Sequence, residues 1–320
     1  MFKKTSVGVG LAALLMALAV PAVTRADYRN EKKFNLQPGG HFVLDSSQGD
    51  VRLTGAPEPG ADVVITSRRD DVEQLYDITF DSHPNELRIT VRRRHPWGFN
   101  WHNNTGLHFV LTIPEDTSAE VKTGGGSVDV SRLKRETELD TSGGSIRASD
   151  LGGNLRAHTS GGSIELEDVK GSARVDTSGG DIRASQLGRS LEAETSGGSI
   201  DLRDIKGDLL AHTSGGSIHI EGAGGRVEAR TSGGSVEVRF AQGNARGGDL
   251  DTSGGGITVA IDRSVNINLD ADASGGTVVT ALPVTQSGTL SRSHIVGTVG
   301  SGGALLHVHS SAGSIHIDAL

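Results

Sequence analysis

The chain has 320 residues, a formal net charge of −8, no cysteine, and aromatic side chains at only 3% of positions. The missing cysteines exclude a disulfide framework and a cysteine-borne lipid anchor. The excess of acid argues against nucleic acid as a partner, and the scarcity of aromatics argues against a broad globular core.

Residues 1–26 read as an export signal. Lys3 and Lys4 supply the charged start, Val7 to Val20 the apolar stretch, and Thr24-Arg25-Ala26 a small-residue cleavage site, with cleavage after Ala22 as the alternative. The stretch is shorter than the roughly 20 apolar residues of a spanning helix, and no later segment reaches that length. The mature chain is therefore expected to be exported to the periplasm, cell surface or medium, without a membrane span. Loss of the signal removes Lys3, Lys4 and Arg25 and no acid, so Lys+Arg falls from 31 to 28 against 39 Asp+Glu, a net charge of −11.

Residues 27–122 are predicted as a strand-rich region and cap, with Ser46-Ser47-Gln48-Gly49-Asp50-Val51-Arg52-Leu53 as a degenerate coil. Strands are expected at Leu87 to Val91 and Leu107 to Leu111. Between them Arg92-Arg93-Arg94-His95-Pro96-Trp97-Gly98-Phe99-Asn100-Trp101-His102 holds both tryptophans of the chain. The loop at residues 95–102 has two readings. In one, Trp97, Phe99 and Trp101, with Arg92, Arg93 and Arg94, form a contact site for a glycan, an envelope component or a protein. In the other, the aromatics cap the open end of a strand stack.

Residues 123–240 repeat. Thr141-Ser142-Gly143-Gly144-Ser145-Ile146 recurs with minor changes from Thr159, Thr177, Thr195, Thr213 and Thr231, each 18 residues on, and a looser copy starts at Thr123. A fixed period of this length marks a solenoid, because one unit cannot bury its own apolar face. Within a unit, apolar and polar residues alternate with the period of strands, giving two short strands and two turns. Columns taken every 18 residues are apolar: Ile146, Ile164, Ile182, Ile200, Ile218, Val236 in one, and Leu133, Leu151, Val169, Leu187, Ile205, Ala223 in another.

A longer echo relates 141–176 to 177–212 and raises the question of a 36-residue coil. Charge decides against it. The outward column Asp129, Arg147, Glu165, Arg183, Asp201, His219, Glu237 alternates at 18, which suits strands about 4.8 Å apart. At 36, Arg147 would face Arg183 and Glu165 would face Asp201, and like charges opposed in this way destabilise.

Residues 241–320 are read as irregular C-terminal coils. The turn returns at Thr252 and Ala273 with intervals of 21, and Ser310-Ser311-Ala312-Gly313-Ser314-Ile315-His316-Ile317 reads as a closing coil.

The entry Leu111-Thr112-Ile113-Pro114, the segment Val121-Lys122-Thr123-Gly124-Gly125-Gly126-Ser127-Val128-Asp129-Val130 and the serial Ser-Gly-Gly-Ser-Ile turn carry a family resemblance. The chain resembles the bacterial putative-adhesin domains of unknown function over roughly residues 40–320. The resemblance implies a β-solenoid related to the head domains of some autotransporter adhesins, and brings no catalytic motif with it.

Chemical motifs are weak. A calcium β-roll needs Gly-Gly-x-Gly-x-Asp, whereas Gly143-Gly144 is followed by Ser145-Ile146-Arg147-Ala148. An ice-binding face needs two outward threonines per coil, and here one Thr is followed by Ser, so a hydroxyl ladder bonded across strands is expected. His307, His309 and His316 are the candidate metal ligands, short of a full ligand set. The acids interleave with Arg and His, unlike the paired carboxylates of a glycosidase cleft. The expected fold is all-β, a single-stranded β-solenoid (β-helix) with about 18 residues per coil and an irregular strand-rich N-terminal cap. The expected function is a non-catalytic, adhesin-like scaffold without a cofactor, binding a surface ligand and no nucleic acid. The alternative is a β-helix enzyme acting on polysaccharide.

Overall fold

The computed structural model describes residues 28–94, 106–286 and 291–320. The expected export signal and Trp97, Phe99 and Trp101 lie outside the described residues. Two long sheets lie face to face, one of 14 strands and one of 15 among the described residues. Sheet 1 contains Ile146–Leu151 and sheet 2 contains Thr137–Thr141; the chain passes from sheet 2 to sheet 1 and back once per coil.

The alternation in sequence sets which side chains fill the space between the sheets. In Ile146–Leu151 the residues Ile146, Ala148 and Leu151 are buried and Arg147 is exposed. Adjacent coils pair in parallel with an offset of 18: Ile146 opposite Ile164, Ile164 opposite Ile182, and Ile182 opposite Ile200. The outward column follows the same offset, so Arg147 faces Asp129 and Glu165, and Arg183 faces Glu165 and Asp201. The 18-residue coil is thus the repeat.

Four successive coils balance their volume. Sheet 1 alternates Ala148, Leu166, Ala184, Leu202, while the same coils carry Leu139, Ala157, Val175, Ala193 in sheet 2, all buried. In these four coils one of the two positions is larger and the other small, whereas Val121 with Val130 and Leu250 with Val259 place two mid-sized or large residues there. Within the four, a core packed to normal density shares its volume between the two sheets.

Two kinds of corner join the sheets. After sheet 2, the repeated threonine is buried rather than displayed. Thr159 Oγ1 donates to Gly144 O of the preceding coil at 2.8 Å and accepts from Gly162 N at 3.3 Å. The same pair of bonds recurs at Thr177, Thr195, Thr213 and Thr231. The expected hydroxyl ladder is therefore a ladder of hydroxyls onto backbone, which satisfies groups that burial would otherwise strand. At the exit from sheet 1 the chain uses a left-handed residue: Asp150, Asp168, Gln186 and Asp204 stand one residue before the end of their strands and Arg132 directly after Ser131, with φ between 52° and 60°.

The ends depart from simple stacking. At the N-terminal end the outermost coil is Glu86–Arg93 with His108–Pro114, and the earlier coil His41–Ser46 with Asp50–Ala56 lies between it and Ser118–Thr123 with Val128–Ser131. Antiparallel strands close this end: Tyr76–His83 in sheet 2, and Ala61–Ser67 followed by Tyr28–Phe34 in sheet 1. Phe34 stacks on Phe80 with centroids 5.5 Å apart, and Lys32 lies 4.1 Å over the Phe80 ring. At the C-terminal end the last coil, Ala304–Ser310 with Ile315–Ala319, is likewise inserted. It lies between Gly248–Thr252 with Ile257–Ile261 and Ile267–Ala273 with Val278–Thr280.

Candidate binding surface

Strand register converts sequence columns into rows of side chains on the outer faces. On sheet 1, Arg52, Asp129, Arg147, Glu165 and Arg183 follow one another across five adjacent strands. They line a shallow groove of about 720 Å³. Arg147 bonds Glu165 at 2.6 Å, and Arg52 lies 3.7 Å from Asp129. Arg183 turns instead to Asp181 on its own coil, at 2.9 Å. Val110, 45% exposed, and His108, which is 3.1 Å from Asp50, lie at the N-terminal end of the groove.

A second groove of about 540 Å³ runs along sheet 2. In this groove register puts Arg156 directly opposite Arg174, and beyond it on the same sheet Glu120 directly opposite Glu138. Each like-charged pair is relieved locally. Arg156 turns to Glu136 at 3.6 Å and Arg174 to Glu192 at 2.7 Å, while Lys122 bridges Glu120 and Glu138 at 2.6 and 3.6 Å. Leu210 stands between Glu192 and Glu228 on this face, half-buried, at a position where other coils carry charge. The outward column read from the sequence, Asp129 to Glu237, lies on sheet 1 and does not include these pairs.

The structure separates the three arginines of the predicted contact site. Arg92 forms a two-pronged pair with Asp45, one bond being Nη1 to Oδ1 at 2.8 Å. This guanidinium holds the Asp45 carboxyl below the ordinary carboxylate range, against a smaller opposing effect of burial. Arg94 donates through Nε to Tyr76 O at 3.3 Å, and its guanidinium is 3.8 Å from Asp77. Arg93 is half-buried and opposite Tyr76 in the strand register. Arg94 and Gly106, the described residues flanking the aromatic loop, stand where the outermost coil passes from sheet 2 to sheet 1.

The histidines do not converge as a trio. His307 and His309 lie on the outer face of sheet 2, and His316 belongs to sheet 1. His307 is 3.5 Å from Asp270 and His309 is 3.4 Å from Asp272. His294, which no sequence pattern pointed to, reaches Asp270 at 3.1 Å through an antiparallel strand. Among the described residues no group of three or more His, Asp or Glu is arranged to hold a metal ion, and no helix is long and apolar enough to cross a membrane.

The chain is similar to solved structures at low identity. One is described as a putative adhesin from Parabacteroides distasonis ATCC 8503, at 12% identity, covering 92% of this chain and 97% of the other, with a TM-score of 0.39. Another is described as a putative cell adhesion protein from Clostridium sporogenes ATCC 15579, at 12% identity, covering 92% and 100%, with a TM-score of 0.26. A third, described as a putative lipid binding protein from Parabacteroides distasonis ATCC 8503, has 10% identity over 91% and 96%, with a TM-score of 0.27. No curated protein matches the chain. The Toastrack DUF4097 family matches residues 40–244, well over half of the sequence, and the chain belongs to that family.

Proposed function

We propose that the protein is an exported, non-catalytic, adhesin-like scaffold that binds an extended ligand of the cell envelope or cell surface along its outer faces. The observation that carries this reading is the sheet 1 groove, in which charged side chains of alternating sign repeat at coil spacing. Its acids Asp129 and Glu165 are tied to Arg52 and Arg147, an arrangement for complementary contact rather than acid–base chemistry. A groove that runs across strands suits a chain-like ligand, a glycan or an extended peptide, and its volume lies within the range of ordinary ligand sites. The aromatic loop at residues 95–102 supplies the adhesive contact of this reading, because rigid aromatic anchors often dominate interface energy.

The test is a screen of the mature protein against glycans, lipopolysaccharide and envelope extracts, repeated with Trp97→Ala/Trp101→Ala. The expected result is binding that falls at least tenfold in the variant with little change in melting. A large fall in melting temperature with binding intact would assign the loop to the end cap instead.

A further inference from the structure

The C-terminal coil occupies a slot that the rest of the chain builds around it. Ala304–Ser310 is hydrogen-bonded on one side to Gly248–Thr252 and on the other to Ile267–Ala273. Ile315–Ala319 is held in the same way between Ile257–Ile261 and Val278–Thr280. The segment therefore fills a gap between two coils that both precede it in sequence. Without it, the coil formed by Ile267–Ala273 and Val278–Thr280 loses its only parallel neighbours in the solenoid among the described residues.

Recognition in the slot follows the general coil pattern. Leu306, Val308, Ile315 and Ile317 are fully buried. Ser310 takes the place of the corner threonine, donating to Gly255 O at 2.8 Å and accepting from Gly313 N at 2.9 Å. Charge adds specificity. The slot presents Asp249 and Asp251 on one wall and Asp270 and Asp272 on the other, and the segment brings His307 and His309 into register between them. The segment is joined to its neighbour by a short turn that crosses the start of Ile267–Ala273. Gly300 and Gly302 have φ of 61° and 76°, Asn266 Oδ1 accepts from Ser301 N at 2.9 Å, and Asn268 Nδ2 donates to Gly303 O at 2.7 Å.

We propose that residues 304–319 are a separable donor segment, and that the slot accepts the same segment from a second copy of this chain, joining two molecules by exchange. The bonds that hold the segment are all non-covalent, so they are the same whether the donor is the chain itself or a copy. A short, tightly bent connection is the setting in which such exchange occurs.

The experiment uses the full chain with a protease recognition sequence inserted between Ser301 and Gly302, cleaved after folding. A labelled peptide of residues 303–320 should enter the nicked protein by displacing the native fragment, and should not bind the uncut protein. Wild-type protein refolded at rising concentration should give a growing dimer fraction that excess peptide suppresses. Hydrogen exchange of the unmodified chain covers the case in which the insertion prevents folding: amides of 267–273, 304–310 and 315–319 should open as one unit, before those of 137–240. The proposal is overturned if the nicked protein does not take up the peptide, if uncut and nicked protein bind it equally, or if dimers form indifferently to it. Independent opening of 267–273 while 304–319 stays protected would also overturn it.

Discussion

Adjacent glycines of one corner answer different demands. A Cβ on Gly162 would lie 2.1 Å from Gly144 O of the coil below, whereas one on Gly161 would meet nothing closer than 3.7 Å. Gly162→Ala should therefore lower stability by about 1–3 kcal/mol through forced separation of coils. Gly161→Ala, which has no positive φ to lose, should be neutral or stabilising by up to about 1 kcal/mol, since alanine restricts the unfolded chain. Thermal unfolding of the two variants checks the pair, and equal losses would mean that both glycines serve backbone contact. The Asp45–Arg92 pair makes a second residue-scale case. The folded-state carboxyl pKa is depressed, so its stabilisation is present above the unfolded value and is lost as pH falls through the folded one. The side chains are 38% and 53% exposed, so the effect is modest. Urea unfolding of Arg92→Met and wild type should differ at pH 7 and converge only as pH falls below the ordinary carboxylate range; a constant gap would make the Arg92 contribution one of packing alone.

At the scale of strands and coils, volume is shared between the two sheets. Leu166→Ala should cost about 2–5 kcal/mol. Adding Ala157→Leu in the same coil should recover part of that loss, whereas Ala157→Leu alone should destabilise by overpacking. A double variant no more stable than Leu166→Ala would show that the two positions do not share one space. The coil interior was legible in the sequence because burial forces a strict period: the column from Ile146 to Val236 could be read directly. The Arg156–Arg174 opposition was equally legible, since those residues are 18 apart, but it belongs to sheet 2 rather than to the alternating column of sheet 1. His294 was not legible, because its partner Asp270 comes through an antiparallel pairing that no repeat encodes. The aromatic end closure by Phe34 and Phe80 was missed for the same reason, as each lies in a strand outside the period.

For the whole molecule, the period fixes the stack but not its ends. Both chain-terminal coils are inserted one place inward, and the outermost coils are built from segments further along or further back in the chain. Long-range pairing of this kind leaves no local signal, although at the C-terminal end it protects a segment that would otherwise fray. The central claim is that successive 18-residue units advance one strand spacing along a single axis, which makes the outer columns regular rows of side chains. The absence of native cysteine allows paired spin labels at exposed corner serines: Ser142→Cys combined in turn with Ser196→Cys, Ser214→Cys and Ser232→Cys. Electron–electron resonance should give backbone separations of about 14, 19 and 24 Å, rising by about 4.8 Å with each added unit. Separations that fail to rise by a constant step, or that rise by half of it as a 36-residue coil would require, would contradict the account.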